Sequence, residues 1–419
     1  MLGNITRKLI AFAVMAMLAG TAAAAEPPSA LAAGLGQSLT RINAQGRQVR
    51  VVRGEPELSQ QSDPFPEELS ESPEPVPEPD DSSYQREWDN AGEDHDTVGQ
   101  CGSPCGDCGC APCSCTPFWA HRTYVFGEYL YLLPTDADMP HAFQQNGVGG
   151  PGTVPAGSVG VVQPDFESAY RAGFGVALGC YASLGISYSR FDSHATDSLA
   201  QLTGVGDTVA SLVLHPNSAN AGSTSSLVDA SLDLEYQLAD IEYRRLLSGN
   251  CRHAVNYGVG VRYAKLQQGF LQIGNFAPPT GTIQTTSDIN FEGVGLRAGL
   301  DGERRIGCCG FSGYGKCFMN VLFGEFQSTY TQLNTITTVV QANSNWNDRR
   351  ALPLLEYEVG LNWTSRRGHW RVSAGYYTAF WFNTITTQQF VQAVQNADFV
   401  DVGETVAFNG LVTRLEFRF

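Results

Sequence analysis

Beyond its first 25 residues the 419-residue chain has no apolar run long enough for a membrane-crossing helix, which takes ~20 residues. Helical membrane spans are therefore not expected. Positive charge is scarce too: 26 Lys and Arg stand against 42 Asp and Glu, a formal net charge of −16. That balance argues against a nucleic-acid partner. The shortage is local. Residues 26–116 hold 17 Asp and Glu, 5 Arg and no Lys, a net −12, whereas residues 117–419 carry only about −6.

What is present falls into four segments. Arg7 and Lys8 precede an apolar run from Leu9 to Leu18, and Ala23 to Ala25 offer a small-residue cleavage site. Residues 1–25 thus read as a signal peptide, with no neighbouring cysteine to suggest a lipoprotein. Residues 26–100, with stretches such as DPFPEELSESPEPVPEPDDSS, have too little apolar surface to offset ordering entropy. They read as a disordered, acidic, Pro-rich periplasmic linker. Residues 101–117 contain CGSPCGDCGCAPCSC, with Cys101, Cys105, Cys108, Cys110, Cys113 and Cys115. Disulfides or cross-links are the expectation for an exported chain. The CxxC spacings Cys105/Cys108 and Cys110/Cys113 leave zinc open, but no histidine accompanies them, so no metal site or cofactor is assigned.

Residues 118–419 change texture to repeated alternation of apolar and polar residues, the mark of strands with different surroundings on their two faces. The cleanest runs are VFGEYLYLL (125–133), RAGFGVALG (171–179), SLDLEYQL (231–238), VNYGVGVRY (255–263), VGLRAGLD (294–301), LEYEVGLNW (355–363) and the closing GLVTRLEFRF (410–419). With 184–191, 316–326 and 370–377 they make about ten strands, in a range of about 8–12. The connections alternate long and short: 134–167, 193–227, 267–288, 328–350 and 383–404 are long, and 180–183, 246–252, 303–312 and 365–368 are short. Five long loops against four short turns fit a transmembrane antiparallel up-and-down β-barrel, all-β, better than a soluble sandwich. The expected location is the outer membrane, with lipid as one partner and the N-terminal arm in the periplasm.

The last strand ends on Phe419. With Leu411, Leu415 and Phe417 on the same face, it resembles the sorting signal that the barrel-assembly machinery reads, which makes that machinery a second expected partner. The texture of FGEYLYLLP (126–134), FGVALGCY (174–181), GFSGYGKCFMNVLFGE (310–325) and LLEYEVGLNW (354–363) resembles the planctomycete family of β-barrel porins, the seventh in the common naming. The resemblance covers about residues 118–419 and implies an outer-membrane barrel; it carries over no functional residue.

Alternation assigns an inward face to Glu128, Arg171, Asp233, Glu235, Arg262, Arg297, Asp301, Glu356, Glu358, Arg371, Arg414, Glu416 and Arg418. Mixed charges in so narrow a space should pair. A salt-bridged lumen with at most a narrow channel is expected. Enzyme readings would need residues at the outer rim, where His141, His194 and His215 fall in long loops with Asp192 and Asp207 near in sequence. No motif ties them together, so catalysis is not expected and a rim hydrolase is a minor alternative. The loosely phosphate-loop-like GVGLRAG (293–299) lies in mid-strand, where its glycines suit lumen packing. Cys180, Cys251, Cys308 and Cys309 fall at or beside short turns, which suggests covalent bracing or cross-links to other envelope proteins. Two functions follow: a narrow porin-like channel for small solutes, or a structural envelope protein with a plugged barrel.

Overall fold

The computed structural model describes residues 118–202, 207–218, 224–250, 252–276, 281–307 and 310–419. The leader, the acidic segment, the cysteine-rich segment and Cys251, Cys308 and Cys309 lie outside the described residues. The strands are β1 (Tyr124–Thr135), β2 (Met139–Gln145), β3 (Pro155–Val162), β4 (Glu167–Ala177), β5 (Ala182–Ala200), β6 (Thr208–Ser211), β7 (Ser225–Gly249), β8 (His253–Phe276), β9 (Thr282–Ile306), β10 (Phe311–Asn334), β11 (Val339–Thr364), β12 (Trp370–Thr384) and β13 (Glu404–Arg418). One helix, α1 (Thr387–Asn396), separates β12 from β13.

Neighbours run β7-β5-β4-β1-β13-β12-β11-β10-β9-β8, and β8 pairs back onto β7. Ten antiparallel strands thus close a ring, as the alternation predicts. The first and last strands meet from Tyr124↔Arg418 to Thr135↔Ala407. The Phe419 N–H donates to Thr123 O at 2.9 Å, so the strand that ends the chain is tied down to its last residue.

Strand length divides the ring. β1, β4, β12 and β13 have 11 to 15 residues. β5 and β7 to β11 have 19 to 26, well beyond the ~10 that a bilayer requires. The expected loops 267–288 and 328–350 are therefore largely strand, and residues 193–200, 208–211 and 225–227 of the expected loop 193–227 are strand too, a correction. Their exteriors are polar and rich in Gln, Asn and Thr, so the composition reads as loop although the alternation continues.

Register shows where the surroundings change. One exterior row across the six tall strands is Tyr188–Ala239–Tyr263–Val294–Phe323–Ala351. Two residues further along it becomes Arg190–Gln237–Lys265–Glu292–Glu325–Arg349. Exposed apolar side chains such as Leu296 (69%), Val359 (60%) and Leu411 (60%) occupy the first zone, and charged or amide side chains the second. Exposed Tyr129, Tyr170, Tyr188 and Tyr263 border the belt towards the loops, and Phe311, Trp363, Trp370 and Phe419 border it at the turns. Two aromatic girdles around an apolar band are the exterior of a membrane barrel.

The interior inverts in step. Behind the polar exterior, Phe191, Tyr236, Leu266, Phe291 and Phe326 form one register row facing inward, all 2% exposed or less. Phe291 lies 4.6 Å from Phe326, and Tyr236 lies 5.0 Å from Phe408, ring centre to ring centre. Loop-borne elements complete this core. Strands β3, β2 and β6 extend the sheet from β7, and α1 turns Phe390, Val391, Ala393 and Val394 inward. Thr386 caps α1 by accepting from Gln389 N, and Ala397 ends it in the left-handed region at φ 51°. Such a cap supplies one of the bonds that a helix start lacks. Neither α1 nor β2, β3 and β6 was read from the sequence.

Candidate functional site

The interior at the turn end, behind the lipid-facing belt, is ionic. Arg262, 1% exposed, donates from Nε to Asp240 at 2.5 Å and from Nη1 to Glu356 at 2.7 Å. Arg297 donates to Glu242 at 3.0 Å and also to Glu356. Tyr377 Oη donates to the other Glu356 oxygen at 2.6 Å. A second group is centred on Glu128, which accepts from Arg171 at 3.0 Å and from Arg414 at 2.8 Å. Arg414 also contacts Glu416, which accepts from Arg418 at 2.5 Å. Lys316 pairs with Glu358 at 2.8 Å, Arg371 with Glu303 at 2.9 Å, and Arg244 with Asp301 at 3.3 Å. Each carboxylate named has a cation within reach, which is the condition for holding charges in a confined space.

The structure brings eleven of the sequence-predicted lumen residues inside: Glu128, Arg171, Arg262, Arg297, Asp301, Glu356, Glu358, Arg371, Arg414, Glu416 and Arg418. Asp233 and Glu235 are not there, and this is a correction. Their side chains are 62% and 24% exposed on the outer wall, paired with His194 at 2.5 Å and Arg190 at 3.2 Å. The run SLDLEYQL lies where the surroundings of the wall are exchanged, so its leucines face in. Sequence reasoning missed Asp240, Glu242, Arg244, Glu303, Lys316 and Tyr377. The signal for three of them was legible: in ADIEYRR (239–245) Asp240, Glu242 and Arg244 share the inward parity of Leu238.

Two cavities lie within this ionic section. One, with room for only a few waters, is lined by Glu128, Arg171, Glu242, Arg297, Glu356 and Tyr377 among others. The other, of similar size, opens beside Phe118 to Arg122 at the turn end. Inner-face glycines bring the walls close: a Cβ at Gly295 would collide with Val321 O on the next strand, which explains a glycine in GVGLRAG without any phosphate.

The rim residues do not converge. His141 is buried and bonds Asp197 through Nε2 at 2.9 Å; His194 pairs with Asp233 on the exterior; His215 Nδ1 accepts from Asn217 N. Cys180 is disulfide-bonded, and Cys317 is a free thiol on the β10 exterior. Leu411, Leu415, Phe417 and Phe419 share the outward face of β13 and its end.

A family profile described as Legionella pneumophila major outer membrane protein precursor matches residues 112–419. No curated protein matches the chain. Among solved structures, the outer-membrane protease OmpT of Escherichia coli aligns over 70% of this chain and 97% of its own, at 11% identity and a TM-score of 0.39. OprG of Pseudomonas aeruginosa aligns over 70% and 96%, at 8% identity and 0.24. A FadL homologue of the same organism aligns over 71% and 90%, at 8% identity and 0.21. Likeness at these scores says nothing of activity. The profile match gives no support to the planctomycete attribution and places the barrel in the outer membrane. The chain belongs to the Legionella pneumophila major outer membrane protein precursor family of outer-membrane β-barrels.

Proposed function

We propose that this protein is a structural outer-membrane barrel whose lumen is stoppered at the loop end. One observation carries the reading: α1 and the β2-β3-β6 extension complete an apolar core with Phe390, Trp381, Tyr330 and Phe408, none more than 1% exposed. The stopper is also anchored by polar groups. Gln268 Nε2 donates to Ile385 O at 2.7 Å and Gln272 Nε2 to His141 O at 2.7 Å. Tyr330 Oη donates to Val213 O at 2.8 Å. A buried amide that lost such a partner would be left unsatisfied, at about 1–3 kcal/mol each.

A second reading, a narrow porin-like channel for small solutes, is favoured by the two small charge-lined cavities of the ionic section. Planar-bilayer conductance of the purified protein separates the two. The stoppered reading expects silence from the native barrel and discrete steps once residues 386–403 are replaced by a short Gly/Asn turn. Steps from the native barrel would sink it in favour of the channel.

The remaining expectations are part of the same proposal. The role is passive. The arm before residue 118 is periplasmic, the assembly machinery reads the outward face of β13, and the cysteines of the turn end brace the protein or link it to envelope partners. Lipid is a partner, and nucleic acid, metal and cofactor are not expected ones.

A further inference from the structure

Among the described residues the exposed side chains outside the turn end carry charge of one sign. Arg245 and Arg304 point outward from β7 and β9, Arg252 sits in the β7–β8 turn, and Arg366 and Arg367 sit in the β11–β12 turn. All five are exposed, and none enters an ion pair among the described residues. The acids of that end, Asp301, Glu303 and Glu416, face the lumen and are engaged with Arg244, Arg371 and Arg418. At the loop end the exterior is mixed instead: Asp192, Asp233, Asp288 and Glu292 stand among Arg190, Lys265 and Arg349. The arginines border the turn-end aromatic girdle: Arg245 lies opposite Tyr257, and the turn bearing Arg366 and Arg367 joins Trp363 on β11 to Trp370 on β12. Interfacial aromatic rings mark the headgroup level, so guanidiniums a residue or a few beyond them reach the phosphates. Arg matches phosphate through paired N–H donors.

We propose that Arg245, Arg252, Arg304, Arg366 and Arg367 form a binding arc for the headgroup phosphates of anionic phospholipid in the leaflet bordering the turn end. The inference needs the barrel to lie in a bilayer; it is indifferent to whether the lumen conducts.

The test reconstitutes the full chain in phosphatidylcholine vesicles containing phosphatidylglycerol, with one lipid at a time brominated on its acyl chains. Quenching of the tryptophans, of which Trp363 and Trp370 lie beside the arc, gives the relative association constant. The expected preference for phosphatidylglycerol is roughly fivefold, shrinking in high salt. Replacing all five arginines by Gln should bring the ratio near one. Arg190→Gln/Lys265→Gln/Arg349→Gln at the loop end should leave it unchanged. Circular dichroism and heat-modifiable migration establish folding, and Arg245→Gln/Arg304→Gln serves if the fivefold variant does not fold. A native ratio near one overturns the proposal, as does equal loss in the loop-end variant. Competition by soluble polyglutamate without a lipid preference would assign the arc to a soluble polyanion instead.

Discussion

Between Tyr236 and Asp240 on β7 the wall of the barrel changes its chemistry on both sides. Towards the turns the exterior is apolar and the interior holds Asp240, Glu242 and Arg244; towards the loops the exterior holds Glu235 and Asp233 and the interior Tyr236, Leu234 and Leu232. The same sheet thus answers two solvents. In the bilayer an apolar exterior costs nothing, and polar groups are confined to the lumen. Above it water wets the exterior, and the interior becomes an ordinary apolar core, where each fully buried large side chain contributes about 1.5–3 kcal/mol. A barrel with one solvent outside would not need the exchange. Its position on the strands marks the edge of the lipid more directly than any residue count.

The comparison is sharpest where each half is held by its own kind of contact. Phe326→Ala in the apolar half should destabilise by about 3–5 kcal/mol in urea titrations of the folded barrel, since a ring-sized cavity opens in a core unable to collapse. Glu356→Leu in the ionic half should cost a similar ~3–5 kcal/mol, because Arg262 and Arg297 lose their common acceptor while buried. The two differ in rescue. Asp240→Leu/Arg262→Met/Glu356→Leu removes a whole ionic group and leaves Arg297 with Glu242, so most of the loss should return. If the triple variant is no better than the single one, the ionic half is not a set of compensated charges.

The exterior offers a smaller contrast within one strand pair. Leu296→Arg, in the lipid zone of β9, should cost about 2–4 kcal/mol in vesicle refolding if it sits near mid-bilayer. Gln267→Arg, on the β8 exterior beyond Lys265, should stay within about 0.5 kcal/mol. Equal costs would mean that the exchange of surroundings has been drawn in the wrong place.

Much of the ring was legible because alternation is a local signal. Val125 to Leu133, Leu355 to Trp363 and Leu411 to Phe419 each state their parity without help from the rest of the chain. Parity alone, however, does not say which face is inside. That follows from the solvent, and the solvent differs at Asp233 and at Asp240, seven residues apart on one strand. For this reason Glu356 lies in the lumen and Glu235 on the outer wall, although both sit in alternating runs. The stopper was illegible for another. TTQQFVQAVQN is a short, mostly polar helical run, and its Phe390 acquires meaning through Trp346, which stacks on it from β11.

The weakest expected effect concerns acid and tests whether the turn-end mouth belongs to the ionic half. His121 precedes β1, outside the spanning strands, with Nδ1 at 2.8 Å from Ser183 Oγ and Nε2 at 3.3 Å from Asn256 Oδ1. Burial, and then the positive Arg244 nearby, hold its pKa below the ordinary histidine value of 6.5. The unfolded chain therefore takes up this proton first as pH falls. The stability due to neutral His121 is complete above about 6.5, declines as pH drops below it, and is gone once pH passes the lowered folded value. Unfolding midpoints of the native chain should fall across that window, and His121→Asn should flatten the dependence while leaving the midpoint at pH 8 nearly in place. A slope unchanged by the substitution would transfer the effect to another group and detach the mouth from the ionic half.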